Sequence, residues 1–151
     1  MSRLNKTARL EQMVESLRKT GHRITPQRLA VLDILSNSHI HPSVERIYEQ
    51  VRVSFPTMSI ATVYKTISML KEINQVLELG FPDESNRYDG NRPFPHPHVI
   101  CIKCRSIFDS ELNVLSEFTR EITRQTGFVI TTHRLDFFGL CKKCQDGEHE
   151  V

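Results

Sequence analysis

The 151-residue sequence predicts an α+β fold in two parts, a helical N-terminal domain closed by a short hairpin and a small C-terminal α/β domain. Three observations predict it. Apolar residues in the first half recur at helical spacing four times before a short pair of β-type runs. A break follows at Gly90-Asn91-Arg92-Pro93-Phe94-Pro95, where two prolines and a glycine interrupt regular structure. Beyond it, β-type runs surround one helical stripe, all between or beside two C-x-x-C pairs. The expected division is residues 1–90, a hinge at 91–95, and a second domain at 96–151.

The elements follow in order. Leu10, Met13, Val14 and Leu17 form one stripe of a first helix, which Gly21 ends. Thr25-Pro26 is an N-cap followed by proline at the first helical position, opening a second helix lined by Leu29, Leu32 and Leu35. Pro42-Ser43 opens a third, with Val44, Ile47, Tyr48 and Val51 on one face. Ser59 caps a fourth, with Ile60, Val63, Ile67 and Leu70 inward and Ala61, Thr62, Tyr64 and Lys65 outward. Val76-Leu77 to Leu79 and Arg87-Tyr88 make a hairpin around Gly80, Pro82 and Asp83. Short helices followed by a small hairpin are the plan of a winged helix-turn-helix, in which the last helix enters the major groove. Small, hydroxyl and aromatic side chains on its outer face suit base-edge and thymine-methyl contacts, although any amphipathic helix has a polar outer face.

In the second domain, Val99 to Ile102 and Ile107-Phe108 predict a strand pair. Leu112, Leu115, Phe118 and Ile122 predict a helix ending before Gly127, and Phe128 to Thr131 and Leu135 to Phe138 predict two further strands. Such a domain of about 60 residues commonly needs a metal staple or a partner chain. The tail from Gln145 to Val151 is polar and expected to fray.

Composition narrows the class. At 38% hydrophobic residues the chain has material for a core, and no run of about 18 apolar residues predicts a membrane span. The N-terminus has no apolar h-region, so a cytoplasmic, reducing location is expected. Net charge is +2, but residues 1–28 hold seven basic side chains (Arg3, Lys6, Arg9, Arg18, Lys19, Arg23, Arg28) against Glu11 and Glu15. A basic end on a near-neutral body suits a polyanion such as DNA, and equally suits a solvated helix face.

The four cysteines, Cys101, Cys104, Cys141 and Cys144, are all the sequence has. In a reducing compartment, C-x-x-C pairs read as metal or redox sites rather than disulfides. Four thiolates from two tight turns suit tetrahedral structural zinc. A thioredoxin-like dithiol belongs at a helix N-terminus in a βαβ context, which the sequence does not show. An oxidoreductase would further need a nucleophile–base pair, and none is evident. His96 and His98 flank Pro97. In extended chain i and i+2 point to one side, so the two imidazoles converge; two exposed loop histidines fit the same pattern.

The runs HRITPQRLAVLDIL, HPSVERIYEQV, FPTMSIATVYKTISMLKE, NRYDG, PHPHVICIKC and FFGLCKKC, in that order from His22 to Cys144, resemble the ferric-uptake-regulator family. The resemblance implies a DNA-binding winged-helix domain, a C-terminal α/β domain that forms a homodimer, and a regulatory divalent-metal site at the hinge. Carried over, that site comprises His41, Asp89, His96, His98 and Asp109, binding Fe(II) or Mn(II), beside the structural zinc. His41 and Asp89 come from one domain and the other three from the second, so one ion would clamp both. Asp89 and Asp109 stand where the iron-uptake branch usually has glutamate, and Pro95 and Pro97 replace two histidine-cluster ligands found in some iron-type members. Both departures resemble the peroxide-sensing branch, in which Fe(II) and hydrogen peroxide oxidise a ligand histidine; here His41 and His96 would be the targets. The implied function is a metal-dependent transcriptional repressor, not an enzyme, that binds a palindromic operator. Arg23, Thr62, Tyr64 and Lys65 are the expected DNA contacts, and an iron-responsive repressor is the alternative. His133 is expected in a core or an interface.

Overall fold

A computed structural model describes residues 2–112 and 114–148, with side chains described from residue 8 onward. The side chains of Arg3 and Lys6 in the basic stretch, and residues 149–151 of the polar tail, lie outside the described set. The chain forms two compact units, Met1–Phe94 and Pro95–Val151. Among the described residues no helix is long and apolar enough to cross a membrane.

The first unit packs four helices, α1 (Ser2–Lys19), α2 (Pro26–Asn37), α3 (Val44–Ser54) and α4 (Ile60–Glu72), and a hairpin of β1 (Leu77–Leu79) and β2 (Arg87–Asp89). Helix ends are set by local chemistry. Gly21, at φ +80°, takes the left-handed conformation after α1. Thr25 Oγ1 accepts from Arg28 N, and Ser43 Oγ accepts from Arg46 N, so both hydroxyls satisfy an orphan amide. Ser59 occupies the N-cap of α4, but its hydroxyl meets Thr62 Oγ1 at 3.2 Å instead of a backbone amide.

The core of this unit joins Met13 and Leu17 of α1, Val31, Leu32 and Leu35 of α2, Ile47 and Val51 of α3, and Val63, Ile67 and Leu70 of α4. Two expected core positions lie elsewhere. Leu29 is exposed, because at about 100° per residue it falls roughly 110° from the centre of the stripe that Val31, Leu32 and Leu35 define. Ile60 is also exposed; Thr66 takes the fourth buried place on α4 and shifts the stripe away from it.

The hairpin is braced against α4. Glu78 accepts from Asn86 Nδ2 (2.9 Å) and Tyr88 Oη (3.1 Å) and pairs with Lys71. Burial pushes its carboxyl up, but bonds from Lys71, Asn86 and Tyr88 together hold it below the ordinary range. Just past β2 the chain presses onto α2: a Cβ built on Gly90 would stand 2.7 Å from Leu35 Cβ. The Arg9 guanidinium of α1 donates to Gly90 O (2.7 Å) and to both Gln75 O and Oε1.

The second unit has a three-stranded sheet in the order β4-β3-β5, from β3 (His98–Cys101), β4 (Ile107–Asp109) and β5 (Asp136–Gly139). Strand β3 pairs antiparallel with β4 and parallel with β5. A parallel neighbour needs a crossover, and α5 (Leu115–Thr126) provides it, ended by Gly127 at φ +70°. A short α6 (Lys142–Gln145) follows β5. The expected strand at Phe128 to Thr131 does not form. The sheet's strands are paired without it, and an extended run without a backbone partner is not a strand. Phe128 and Val129 are left 70% and 88% exposed. His133 is exposed as well, in irregular chain rather than in a core. The apolar interior here is thin: Ile100 and Ile107 are buried, whereas no residue of α5 is.

Gly90→Ala is expected to destabilise the first unit by about 1–3 kcal/mol, since backbone and side chain of Leu35 both block the new methyl. Chemical denaturation monitors this. An unchanged midpoint would show that α2 yields to the methyl without cost.

Candidate metal centres

The four cysteines converge, with all four Sγ atoms within 4.8 Å of one another. Each pair reaches the cluster from a tight turn. In the first, Arg105 takes a left-handed conformation (φ +61°), Arg105 N donates to Cys101 O (2.9 Å), and Cys101 N donates to Ser106 O (3.0 Å). In the second, Cys141 caps α6 and Cys144 lies within it. Cys104 Sγ and Cys141 Sγ are 3.8 Å apart. Zinc–sulfur bonds of about 2.3 Å in a tetrahedron give an edge of about 3.8 Å, so this set fits Zn(II).

The surroundings favour thiolates at the first knuckle. Amide donors from Cys141 and Cys104 bring the Cys101 thiol down to about 6. Ser106 lowers Cys104 through its hydroxyl and its amide. Burial, reinforced by hydrogen bonding with the other three cysteines, pushes Cys144 up to about 12. Four sulfurs this close do not ionise together without a cation among them.

The first unit contributes a histidine–carboxylate pair. His41 Nε2 lies 3.0 Å from Asp89 Oδ2, with the two side chains 1% and 2% exposed. Asp89 sits at the end of β2, and its Oδ1 accepts from Asn91 N (3.0 Å) and Arg92 N (2.8 Å), which fixes the carboxylate and turns Oδ2 to the imidazole. His41 is held in a left-handed conformation, φ +51°, that side-chain-bearing residues seldom adopt. Arg87 supports it from β2: its Nε donates to His41 O and its Nη2 to Ile40 O (2.6 Å). Tyr88 N donates to Pro42 O (3.0 Å). Loop 40–42 is thereby tied to the strand that carries Asp89. Sequence reading missed Arg87, because its partner lies 46 residues away and the positive φ is invisible in composition.

The second unit holds a donor set of its own. His96 Nε2 is 3.0 Å and His98 Nε2 3.6 Å from Asp109 Oδ1, with the imidazole centroids 4.3 Å apart. Both histidines are buried, and register puts His98 opposite Asp109. Metal–nitrogen and metal–oxygen bonds of about 2.1 Å place adjacent donors about 3.0 Å apart, which the His41–Asp89 and His96–Asp109 distances match. Imidazoles with carboxylates and no thiolate suit a divalent ion such as Fe(II) or Mn(II). Asp136, unnoticed in the sequence, also faces this group: its Oδ1 is 3.8 Å from His98 Nδ1.

Among the expected DNA contacts, Tyr64 and Lys65 are exposed on α4, Thr62 is half-buried, and Arg23 is exposed ahead of α2. Tyr64 Oη lies 3.3 Å from Glu45 Oε1, and the Glu45 charge raises the phenol above its ordinary value.

The fold and the donor sets define a class, a winged-helix protein with metal-ligand sets in both of its units. The profile of the ferric uptake regulator family matches residues 19–138, and the chain belongs to that family. The peroxide-responsive repressor PerR of Staphylococcus aureus (strain USA300) is 42% identical over 137 residues, covering 91% of this chain and 92% of that protein. The Campylobacter jejuni peroxide stress regulator is similar in structure, with a TM-score of 0.70 at 31% identity, over 89% of this chain and 98% of that one. The Helicobacter pylori ferric uptake regulator Fur gives a TM-score of 0.75 at 26% identity, over 93% of each chain.

Cys141→Ser is expected to abolish stoichiometric zinc binding and the cooperative melting of the second unit, leaving the first unit's transition in place. Metal analysis with circular dichroism checks this. Full zinc content in the variant would refute the four-sulfur assignment.

Proposed function

We propose that the chain is a homodimeric, metal-dependent transcriptional repressor that senses hydrogen peroxide through oxidation of its own ligand histidines. The observation that carries this reading is the pair of imidazole–aspartate half-sites, His41 with Asp89 and His96 and His98 with Asp109, in which the three imidazoles and Asp89 are buried. The 42% identity to a peroxide-responsive repressor supports it.

In this reading the two half-sites share one regulatory ion, residues 91–95 serve as the hinge, and the four cysteines hold structural zinc. Fe(II) in the regulatory site supplies the redox chemistry with hydrogen peroxide that Mn(II) does not. By resemblance to the peroxide-sensing branch, His41 and His96 are the residues altered; each is buried with Nε2 toward its aspartate. Losing one imidazole donor removes part of the preference of the site for the DNA-binding arrangement; each factor of ten corresponds to about 1.4 kcal/mol.

The outer face of α4 supplies recognition, with Thr62, Tyr64 and Lys65 toward base edges and Arg23 toward the backbone or the minor groove. Two such helices in a dimer meet the two halves of a palindromic operator. The dimer itself is supported by uncovered apolar surface on the second unit. Phe118 and Ile122 on α5 are half-exposed, and Phe128, Val129 and Phe138 more so. A second copy of the chain is the natural cover for such a face.

The central experiment selects a duplex from random sequence with the Mn(II)-loaded protein. Its binding is then measured with Fe(II) or Mn(II), before and after low peroxide, with mass spectrometry of the His41 and His96 peptides. Expected are an added oxygen and lost binding with Fe(II) alone. Equal resistance with both metals would eliminate peroxide sensing and favour an iron-responsive repressor. Asp109→Glu should blunt the peroxide response more than DNA affinity. Separately, a Phe118→Asp/Ile122→Asp variant should sediment as a monomer and bind the duplex at least about tenfold more weakly; a variant that remained dimeric would place the interface elsewhere.

A further inference from the structure

The second unit contains a carboxylate that the proposed metal site does not use as a ligand. Asp136 opens β5, and the parallel register sets it directly opposite His98 on β3. His98 N donates to Leu135 O (3.1 Å), which fixes the two backbones side by side. The Asp136 side chain is 12% exposed. Its Oδ2 receives Arg134 Nε at 2.7 Å, while its Oδ1 is buried and lies 3.8 Å from His98 Nδ1. On the other side of the same ring, Nε2 lies 3.6 Å from Asp109 Oδ1.

We infer that Asp136 is a positioning residue for His98: its carboxylate accepts the Nδ1 proton, holds the imidazole in the tautomer with a bare Nε2, and aims that nitrogen at the regulatory ion. A neutral imidazole has one donor and one acceptor nitrogen, and the partner of one decides the role of the other. Metal-ligating histidines commonly give their second N–H to a carboxylate, which also raises the basicity of the ligating nitrogen. The 3.8 Å separation exceeds a hydrogen bond, so the proposed role requires this contact to shorten. Arg134 plays the supporting part. By engaging Oδ2 it orients the carboxylate and leaves Oδ1 facing the ring.

This inference rests on the regulatory-site reading, and its test separates the two. Zinc-replete full-length protein is titrated with Co(II) and Mn(II), following the Co(II) visible bands and Mn(II) electron paramagnetic resonance, for wild type, Asp136→Ala, Asp136→Glu and His98→Ala. Long-range proton–nitrogen NMR of labelled histidine reports the His98 tautomer in the same zinc-replete protein. Expected for Asp136→Ala are a roughly 10–100-fold loss of affinity and a mixture of His98 tautomers, with zinc content and melting unchanged. Asp136→Glu should restore the Nδ1–H tautomer and most of the affinity. If His98→Ala abolishes ion uptake while Asp136→Ala leaves affinity and tautomer as in wild type, the positioning role is overturned and the site stands. If His98→Ala leaves uptake unchanged, the site reading falls and the role of Asp136 falls with it. A lowered melting temperature in Asp136→Ala with an unaltered tautomer would mark a structural role only and would also overturn the inference.

Discussion

The register of β3 is the constraint on which the second unit depends. Its four residues begin with a buried imidazole and end with a buried thiol, His98 and Cys101. Because strand side chains alternate, a slip of one position would put Val99 in the place of His98 and turn the imidazole to the opposite face. Bonds on both sides prevent this. Toward β5, His98 N reaches Leu135 O and Ile102 N reaches Gly139 O; toward β4, Cys101 N reaches Ser106 O and Ser110 N reaches Pro97 O. A sulfur cluster that fixes one end of so short a strand therefore fixes the donor at the other end to within a fraction of a residue spacing. The sulfur cluster is in this sense the reference frame of the imidazole at the other end of the strand.

The two units draw on different sources of stability. The first buries leucines, valines and methionines from all four helices and needs no ion to account for its packing. Its donors His41 and Asp89 are set by backbone devices: Arg87 on two loop carbonyls, and a turn of amides on Asp89 Oδ1. The second buries little apolar surface and leaves the apolar face of α5 uncovered, so a domain of this size would draw on sulfur ligation or a partner chain in place of a large core.

Much of the fold was legible because it is written in local chemistry. Thr25-Pro26 and Ser43 announced helix starts, Gly21 and Gly127 announced ends, and the hairpin runs paired as spaced. The misplacements have definite causes. Leu29 satisfied an i, i+3 count but not the actual angle of the buried stripe, which Val31 helped to set. Phe128 to Thr131 has strand composition, yet strand formation depends on a partner backbone that this chain does not offer. For the site, family resemblance carried the donor identities, whereas spacing alone left His96 and His98 open to a solvent-exposed reading. Arg87 and Asp136 were invisible because their roles arise from long-range pairing: one through a loop in left-handed conformation, the other through a parallel register created only after the α5 crossover.

That parallel register also imposes an order of assembly. The β3–β4 hairpin joins neighbours in sequence and forms early; β5 can join only after α5 has carried the chain back across the sheet. Parallel strands finish at the same edge, which is why Cys141 arrives beside Cys101 although the two lie 40 positions apart in sequence. If the four sulfurs take zinc, the second pair would close the site as β5 docks, and maturation of this unit would then be tied to zinc supply.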